Sequence, residues 1–271
     1  MNSLRITTLI ENTAQGKGLL AEHGFSLWIE YNNRKILFDT GQGYVLNGNA
    51  KKLGINLSDA DAIVLSHGHY DHTGGLFKLD NLENTTIFTH KDSLLPKYSK
   101  HPNGSVHKIG MKPFADNKLN FKFNDKPAEL YKGFHLTGAI PRNNDFENTG
   151  GQFFCDEECL EIDKLLDDQA AFIETPIGLC VILGCAHSGV INTLEYISKL
   201  TNTRNIHTLL GGMHLGSASE ERMDKTIKGL KRFNVQNLYP VHCTGFNASA
   251  RLMQEFPKSY KTCKVGTIIE V

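Results

Sequence analysis

Hydrophobic positions along the chain fall into short runs with two spacings. The opening third carries strand-length segments rich in β-branched and aromatic residues: LRITTLIEN, then FSLWIEY and KILFDTG joined through Asn32-Asn33-Arg34-Lys35. Asparagine tolerates the positive φ of a tight turn, so these two segments predict a β-hairpin. YVLNGNAKKLG predicts a helix, and Ala62-Ile63-Val64-Leu65, apolar at every position, predicts a buried strand. NTTIFTH and LYKGFHLTGAI predict further strands. Between them, Lys91 to Lys126 is Lys- and Asn-rich with little periodicity. Pro141 to Gln169 predicts a loop, acidic in its second half, long enough to act as a lid or a substrate-facing insertion.

The later chain alternates regularly. AAFIETPIGLCVILGCAH predicts two strands around a turn at Thr175-Pro176-Ile177-Gly178. Helix VINTLEYISKL, strand IHTLLGG, helix EERMDKTIKGLKRF, strand NLYPVH, helix ASARLMQEF and strand GTIIEV follow, which is α/β architecture. No internal repeat or low-complexity tract interrupts it. Histidines recur where strands are predicted to end: His67, His187, His214 and His242. The crevice outside the carboxyl ends of strands is where α/β sheets bind ligands, so these residues are expected to converge.

The densest chemistry is SHGHYDHTGG, residues 66 to 75. Neutral imidazole and carboxylate are good ligands for zinc and other first-row divalent metals. The spacing lets His67 and His69 grip one ion while Asp71 and His72 turn toward a second. Gly68, Gly74 and Gly75 give the backbone freedom to curl around them. A solvated polar loop is the plain alternative, but three imidazoles and a carboxylate in six positions favour metal. Zinc fits this nitrogen-rich set, with manganese or iron as alternatives.

Composition narrows the class. The 271 residues are 40% hydrophobic, enough for one substantial domain over residues 1–271. The 29 basic and 29 acidic residues cancel, and no long basic run tracks a phosphate backbone, so no nucleic-acid partner is expected. The start, MNSLRITTLIENTAQGKG, lacks a signal-peptide pattern, and no apolar run reaches membrane-spanning length. A cytoplasmic protein with no membrane partner is expected. Six cysteines without a CxxC pair read as mostly free thiols.

The motif at His67, His69, Asp71 and His72 resembles the HxHxDH signature of the metallo-β-lactamase superfamily. The blocks EHGFSLWIE, ILFDTG, LSHGHYDHTGGL, LGCAHSGVINTL, LLGGMHLG and YPVHCTG together resemble the branch containing the dihydropterin-ribofuranosylaminobenzene phosphate synthases. The resemblance implies an αββα sandwich, two mixed β-sheets with helices outside and a metal centre at one edge. It implies a metal-dependent hydrolase that uses a metal-activated water on a small, anionic or phosphorylated substrate. The alternative is a transferase displacing pyrophosphate, as in a methanopterin-type pathway. Flavodiiron-like redox chemistry fits less well, because those relatives resemble HxExD where this chain has His69.

The resemblance also distributes roles. Asp39 in LFDTG matches the aspartate that braces the metal loop, although it could simply cap a turn. His242 matches the last metal histidine. Where the superfamily usually has a bridging aspartate, this chain reads Gly184-Cys185-Ala186-His187. His187 is the expected ligand, because thiolate is the poorer bridge for a water-activating pair, and Cys185 is the runner-up, placed behind the ligands. Asp71 and His214 are the catalytic candidates, His214 being as readily a core histidine as a substrate-contacting acid. His23 lines the pocket or lies on the surface. His90, His101, His107, His135, His207, Cys155 and Cys159 carry no assigned role.

Overall fold

The computed structural model describes residues 4–80, 82–113 and 119–271. Strand β1 (Leu4–Ile10) pairs antiparallel with β2 (Ser26–Tyr31), which turns into β3 (Arg34–Phe38). At that turn Asn32 and Asn33 hold φ values of 48° and 63°, the left-handed pair of a two-residue hairpin. β4 (Ala62–Val64) and β5 (Thr86–Thr89) extend the sheet in parallel, β8 (Asn120–Phe123) ends it, and β16 (Ile268–Glu270) closes the other edge beside β1.

The second sheet runs β15 (Asn234–Val241), β14 (Asn205–Gly212), β13 (Gly178–Ile182), β12 (Ala171–Thr175), β10 (Phe134–Leu136) and β9 (Ala128–Tyr131). Its first three strands are parallel, so their carboxyl ends share one edge.

The two sheets pack face to face with helices on both outer faces: an αββα sandwich. Ile6, Leu27, Ile29 and Val64 of one sheet meet Phe134, Ile173, Cys180 and Ile182 of the other. The intervening positions point the opposite way, as the two-residue period of a strand requires. Trp28, Leu37 and Ile63 pack on α1 (Leu46–Lys52), while Leu179 and Val181 pack under α3 (Val190–Thr201), α4 (Glu220–Leu230) and α5 (Phe246–Glu255). Burial on both faces is why Ala62–Leu65 reads as an unbroken apolar run. The helices are one-sided: Val190, Leu194 and Ile197 of α3 and Met223, Ile227 and Leu230 of α4 recur at helical spacing on their buried stripes.

Three segments differ from the sequence reading. LYKGFHLTGAI is not one strand: Gly133, at φ 79°, turns the chain between β9 and β10. The stretch of low periodicity contains a hairpin of β6 (Tyr98–Lys100) and β7 (Val106–Lys108), followed by β8. Residues 114–118 of that stretch lie outside the described residues. The long loop contributes β11 (Gln152–Phe154), which pairs with β6 to make a small third sheet.

The loop's buried acidic residues are anchors. Glu147 accepts hydrogen bonds from the Ile191 and Asn192 amides at the start of α3, both at 2.8 Å, where the helix dipole favours negative charge. Lys97 is 1% exposed and its Nζ lies 2.8 Å from Asp163 and 3.0 Å from Asp167. Asp167 also accepts from the Gly68 amide, and Gln169 contacts the backbone carbonyls of Leu65 and Ser66.

Lys97→Met retains length but leaves Asp163 and Asp167 facing each other without a cation. Urea unfolding is expected to show a loss of about 3–5 kcal/mol, the cost of breaking a buried ion pair by removing one partner. A loss under about 0.5 kcal/mol, as for an ordinary surface change, would contradict this anchoring role.

Candidate metal centre

The strand ends bring His67, His69, Asp71, His72, His187 and His242 to one place. The loop after β4 carries the first four, with Asp71 and His72 on the single turn α2 (Tyr70–Thr73); His187 follows β13 and His242 follows β15. Gly184 permits the close approach, since a Cβ there would sit 2.1 Å from Ser66 Oγ.

Each of four histidines has one ring nitrogen committed to a partner outside the centre. His72 Nδ1 donates to Asp39 Oδ2 at 2.7 Å, and His187 Nδ1 donates to the Thr149 carbonyl at 2.9 Å. His242 Nδ1 donates to Asn12 Oδ1 at 3.0 Å. His67 Nδ1 lies 2.9 Å from Ser66 Oγ, which itself donates to Asp39 Oδ2 at 2.7 Å. These partners place the hydrogen on Nδ1, so in the neutral rings the Nε2 lone pairs face inward. Asp39 thus holds His72 directly and His67 through Ser66, instead of merely capping a turn.

The inward atoms crowd together. His72 Nε2 is 3.2 Å from His242 Nε2, His67 Nε2 is 3.0 Å from His69 Nδ1, and Asp71 Oδ2 is 3.3 Å from His242 Nε2. With Nδ1 protonated in neutral His72 and His242, their Nε2 lone pairs face each other and His242 Nε2 faces the Asp71 carboxylate, an arrangement that a cation between them relieves. Separations near 3.3 Å also match the edge of a tetrahedron with metal–nitrogen bonds of about 2.0–2.1 Å. His187 Nε2 is buried and unpartnered among the described residues. The donor set therefore fits a divalent metal.

Cys185 stands among the inward atoms, not behind them. Its Sγ is 3.1 Å from His72 Nε2, and it lies within 4.8 Å of the donor atoms in both the His67–His187 and the His72–His242 groups. It occupies the shared position, while His187 belongs to one group.

Electrostatics favour the ligand form of several side chains. Burial holds His67 and His187 well below the ordinary histidine value and pushes His69 down to about 3, so these rings stay neutral. Burial also works against charge on His72, but Asp39 and Asp71 outweigh it and raise its pKa. For Asp71, burial favours the acid, yet the neighbouring His72, His23 and His242 rings hold it well below the carboxylate range. Burial raises the Cys185 thiol. Asp168, whose carboxylate accepts from the Ser188 amide at 2.8 Å, is pushed up to about 6 by burial.

These groups open onto a cavity of about 730 Å³. His23, more than half exposed, reaches in from its rim, with Nε2 3.2 Å from Asp71 Oδ2. His214 also lines it, at φ 46°, with its ring centre 4.3 Å from that of His187 and Nδ1 buried without a partner among the described residues. Gly150 to Phe153 of the long loop border the cavity as the lid reading expects. Sequence reasoning missed Ser66, Asn12, Asp167 and His101; Cys243, beside Cys185 and His214, was also unassigned. Ser66 carried a signal, being directly before the motif, whereas Asn12 lies 230 residues from His242 and carried none.

A sandwich with its HxHxDH loop at the strand ends and a brace reaching across from the neighbouring strand defines a metal-dependent hydrolase fold. The chain belongs to the metallo-beta-lactamase superfamily, whose family model matches residues 20–153. It is 34% identical to an uncharacterized protein of Methanocaldococcus jannaschii over 92% of this chain and 94% of that one. It is also 30% identical to the 7,8-dihydropterin-6-methyl-4-(beta-D-ribofuranosyl)-aminobenzene-5'-phosphate synthase of the same organism, over 100% of this chain and 97% of that protein. Among solved structures, Tm1679, a metal-dependent hydrolase of the beta-lactamase superfamily, superposes with a TM-score of 0.84 at 31% identity, covering 99% of each chain.

Asp39→Asn keeps the shape of the brace but presents an amide hydrogen to His72 Nδ1, which drives the ring proton to Nε2 and removes the inward lone pair. Metal affinity, read by competition with a chromogenic chelator, is expected to fall about 10- to 100-fold. Unchanged affinity would show that Asp39 does not set the ring's protonation.

Proposed function

We propose that the protein is a metal-dependent hydrolase of a small anionic substrate, with zinc as the native metal, one or two ions per chain. His67, His69 and His187 form one ligand group, Asp71, His72 and His242 the other, and Cys185 lies between them. The observation that carries this reading is that His67, His72 and His242 have Nδ1 held from outside while their Nε2 atoms lie 3.0–3.3 Å from neighbouring ligand atoms. A bound divalent ion supplies Lewis-acid polarisation of the scissile group and a water made acidic near neutral pH. The chain's own residues orient the reaction. Asp71, the one carboxylate among the described cavity-lining residues, presents Oδ2 between His23 and His242 as a proton acceptor. His214, on the wall beside His187, is placed to contact the substrate.

A second reading, group transfer with departure of pyrophosphate, draws support from the full-length similarity to the dihydropterin synthase. Incubation with a dihydropterin pyrophosphate and an aminobenzene ribose phosphate separates the two: pyrophosphate release that depends on the second substrate favours transfer.

Protein prepared without chelators is expected to carry one to two transition-metal ions per chain by elemental analysis. Under about a tenth of an ion, far from the occupancy of such a site, would remove the basis of the proposal. Asp71→Asn is expected to fold like the metal-free wild type and to lose at least about a hundredfold in rate. Wild-type metal content and activity in that variant would eliminate Asp71 as ligand and acceptor.

A further inference from the structure

Part of the cavity wall is built by the small third sheet, and its chemistry is unlike the rest of the molecule. The whole chain balances 29 basic against 29 acidic residues, yet Ser93 to Pro113 contains no acidic residue and four lysines. Lys97 is turned inward onto Asp163 and Asp167, and Lys108 is not among the cavity-lining residues. Lys100 does line it, exposed and without an ion pair among the described residues. Beside it His101 also lines the cavity, its ring braced edge-on by His107 at 5.0 Å, while His107 is held by Ser105 Oγ at 3.0 Å.

Ser99, Lys100, Gln152 and Phe153 of the paired strands all line the cavity. Lys100 of β6 pairs with Gln152 of β11, and Ser99 pairs with Phe153. The Phe153 ring lies 5.4 Å from the His69 ring and 5.3 Å from that of His187. Phe153, Lys100 and His101 thus line one cavity with His69 and His187 of the candidate metal centre. Asp71, the one carboxylate among the described lining residues, sits at the metal end and is already flanked by His23 and His242. A volume of about 730 Å³ is that of a site for an organic molecule, well beyond a lone inorganic ion.

Resting on the hydrolase reading for the position of the scissile bond, we infer that Lys100 and His101 form a subsite for an oxyanion of the phosphate class carried by the substrate at the end remote from that bond, with a flat apolar body between them against Phe153. Lysine binds such a group as a point charge, and a charge-assisted hydrogen bond supplies discrimination that a neutral rim would lack.

The test uses two aryl acetates that differ only at the far side of the ring: 4-acetoxybenzylphosphonate and 4-methylphenyl acetate. With metal-loaded wild type, kcat/KM for the phosphonate is expected to exceed that for the methyl compound by about 10- to 100-fold, the range of one hydrogen bond to a charged group. Lys100→Glu should collapse that ratio toward one, while Lys108→Glu, which alters the same hairpin away from the cavity, should preserve it. A ratio that survives in Lys100→Glu, or falls equally in Lys108→Glu, overturns the subsite.

If neither acetate is cleaved, the hydrolase reading suffers and the subsite is still tested by calorimetric binding of the corresponding phenols, 4-hydroxybenzylphosphonate and 4-methylphenol, to the same three proteins. Tighter binding of the phosphonate that is lost only in Lys100→Glu supports the subsite. Equal phosphonate binding by wild type and Lys100→Glu places the anion on the metal centre instead and overturns it.

Discussion

The carboxylate of Asp39 is fully buried, and the site depends on how it is satisfied. A charge without water is tolerated when hydrogen bonds replace hydration, and Asp39 has three: the Ser66 amide, the Ser66 hydroxyl and His72 Nδ1, each at 2.7 Å. Through Ser66 the same carboxylate also fixes His67. Two rings in different ligand groups are thereby oriented by one anion. Its own position follows from the parallel pairing of β3 with β4, which sets Phe38 beside Val64 and so brings the residues that follow each strand together. Backbone topology thus sets side-chain protonation.

Much of this was legible because it follows from periodicity. Strands buried on both faces must be apolar throughout, as at Ala62–Leu65, and a two-residue turn must accept positive φ, as at Asn32-Asn33. The convergence of His67, His187 and His242 was readable as a property of strand ends. The hairpin of β6 and β7 was not, because its residues are half exposed and pair with β11, about fifty positions away, leaving no local pattern. His101 went unassigned for the same reason: only that pairing places it on the cavity. Cys185 was read as standing behind His187 by chemical preference, whereas its sulfur lies between both groups of donors.

Acidity in the long loop was visible, and its meaning was not. Charged residues in a loop ordinarily face water, but Glu147, Asp163, Asp167 and Asp168 are buried, each against an amide or an ammonium group. Asp167, Asp168 and Gln169 form a clasp: the first holds the Gly68 amide, the second the Ser188 amide, and the third the carbonyls next to His67. Both histidine-bearing loops are tied to one tripeptide. The stretch between Glu147 and Asp163, which borders the cavity, is thus registered to the centre at both ends as well as through β11.

The clasp also bears on the order of assembly. Asp39 and His72 are 33 residues apart, Gly68 and Asp167 are 99 apart, and Asn12 and His242 are 230 apart. Contacts so distant in sequence close late, after the loop-closure entropy of the intervening chain has been overcome. A chain still emerging from the ribosome presents the HxHxDH loop and its brace but neither His187 nor His242, and so offers an ion only part of its cage. In the proposed centre the donor set is complete only when β15 docks and the N-terminal segment reaches across to it, so part of the metal's binding energy would fall on the finished topology. On that proposal, tight metal retention would report complete folding, and a chain arrested short of its last strands would hold an ion less firmly.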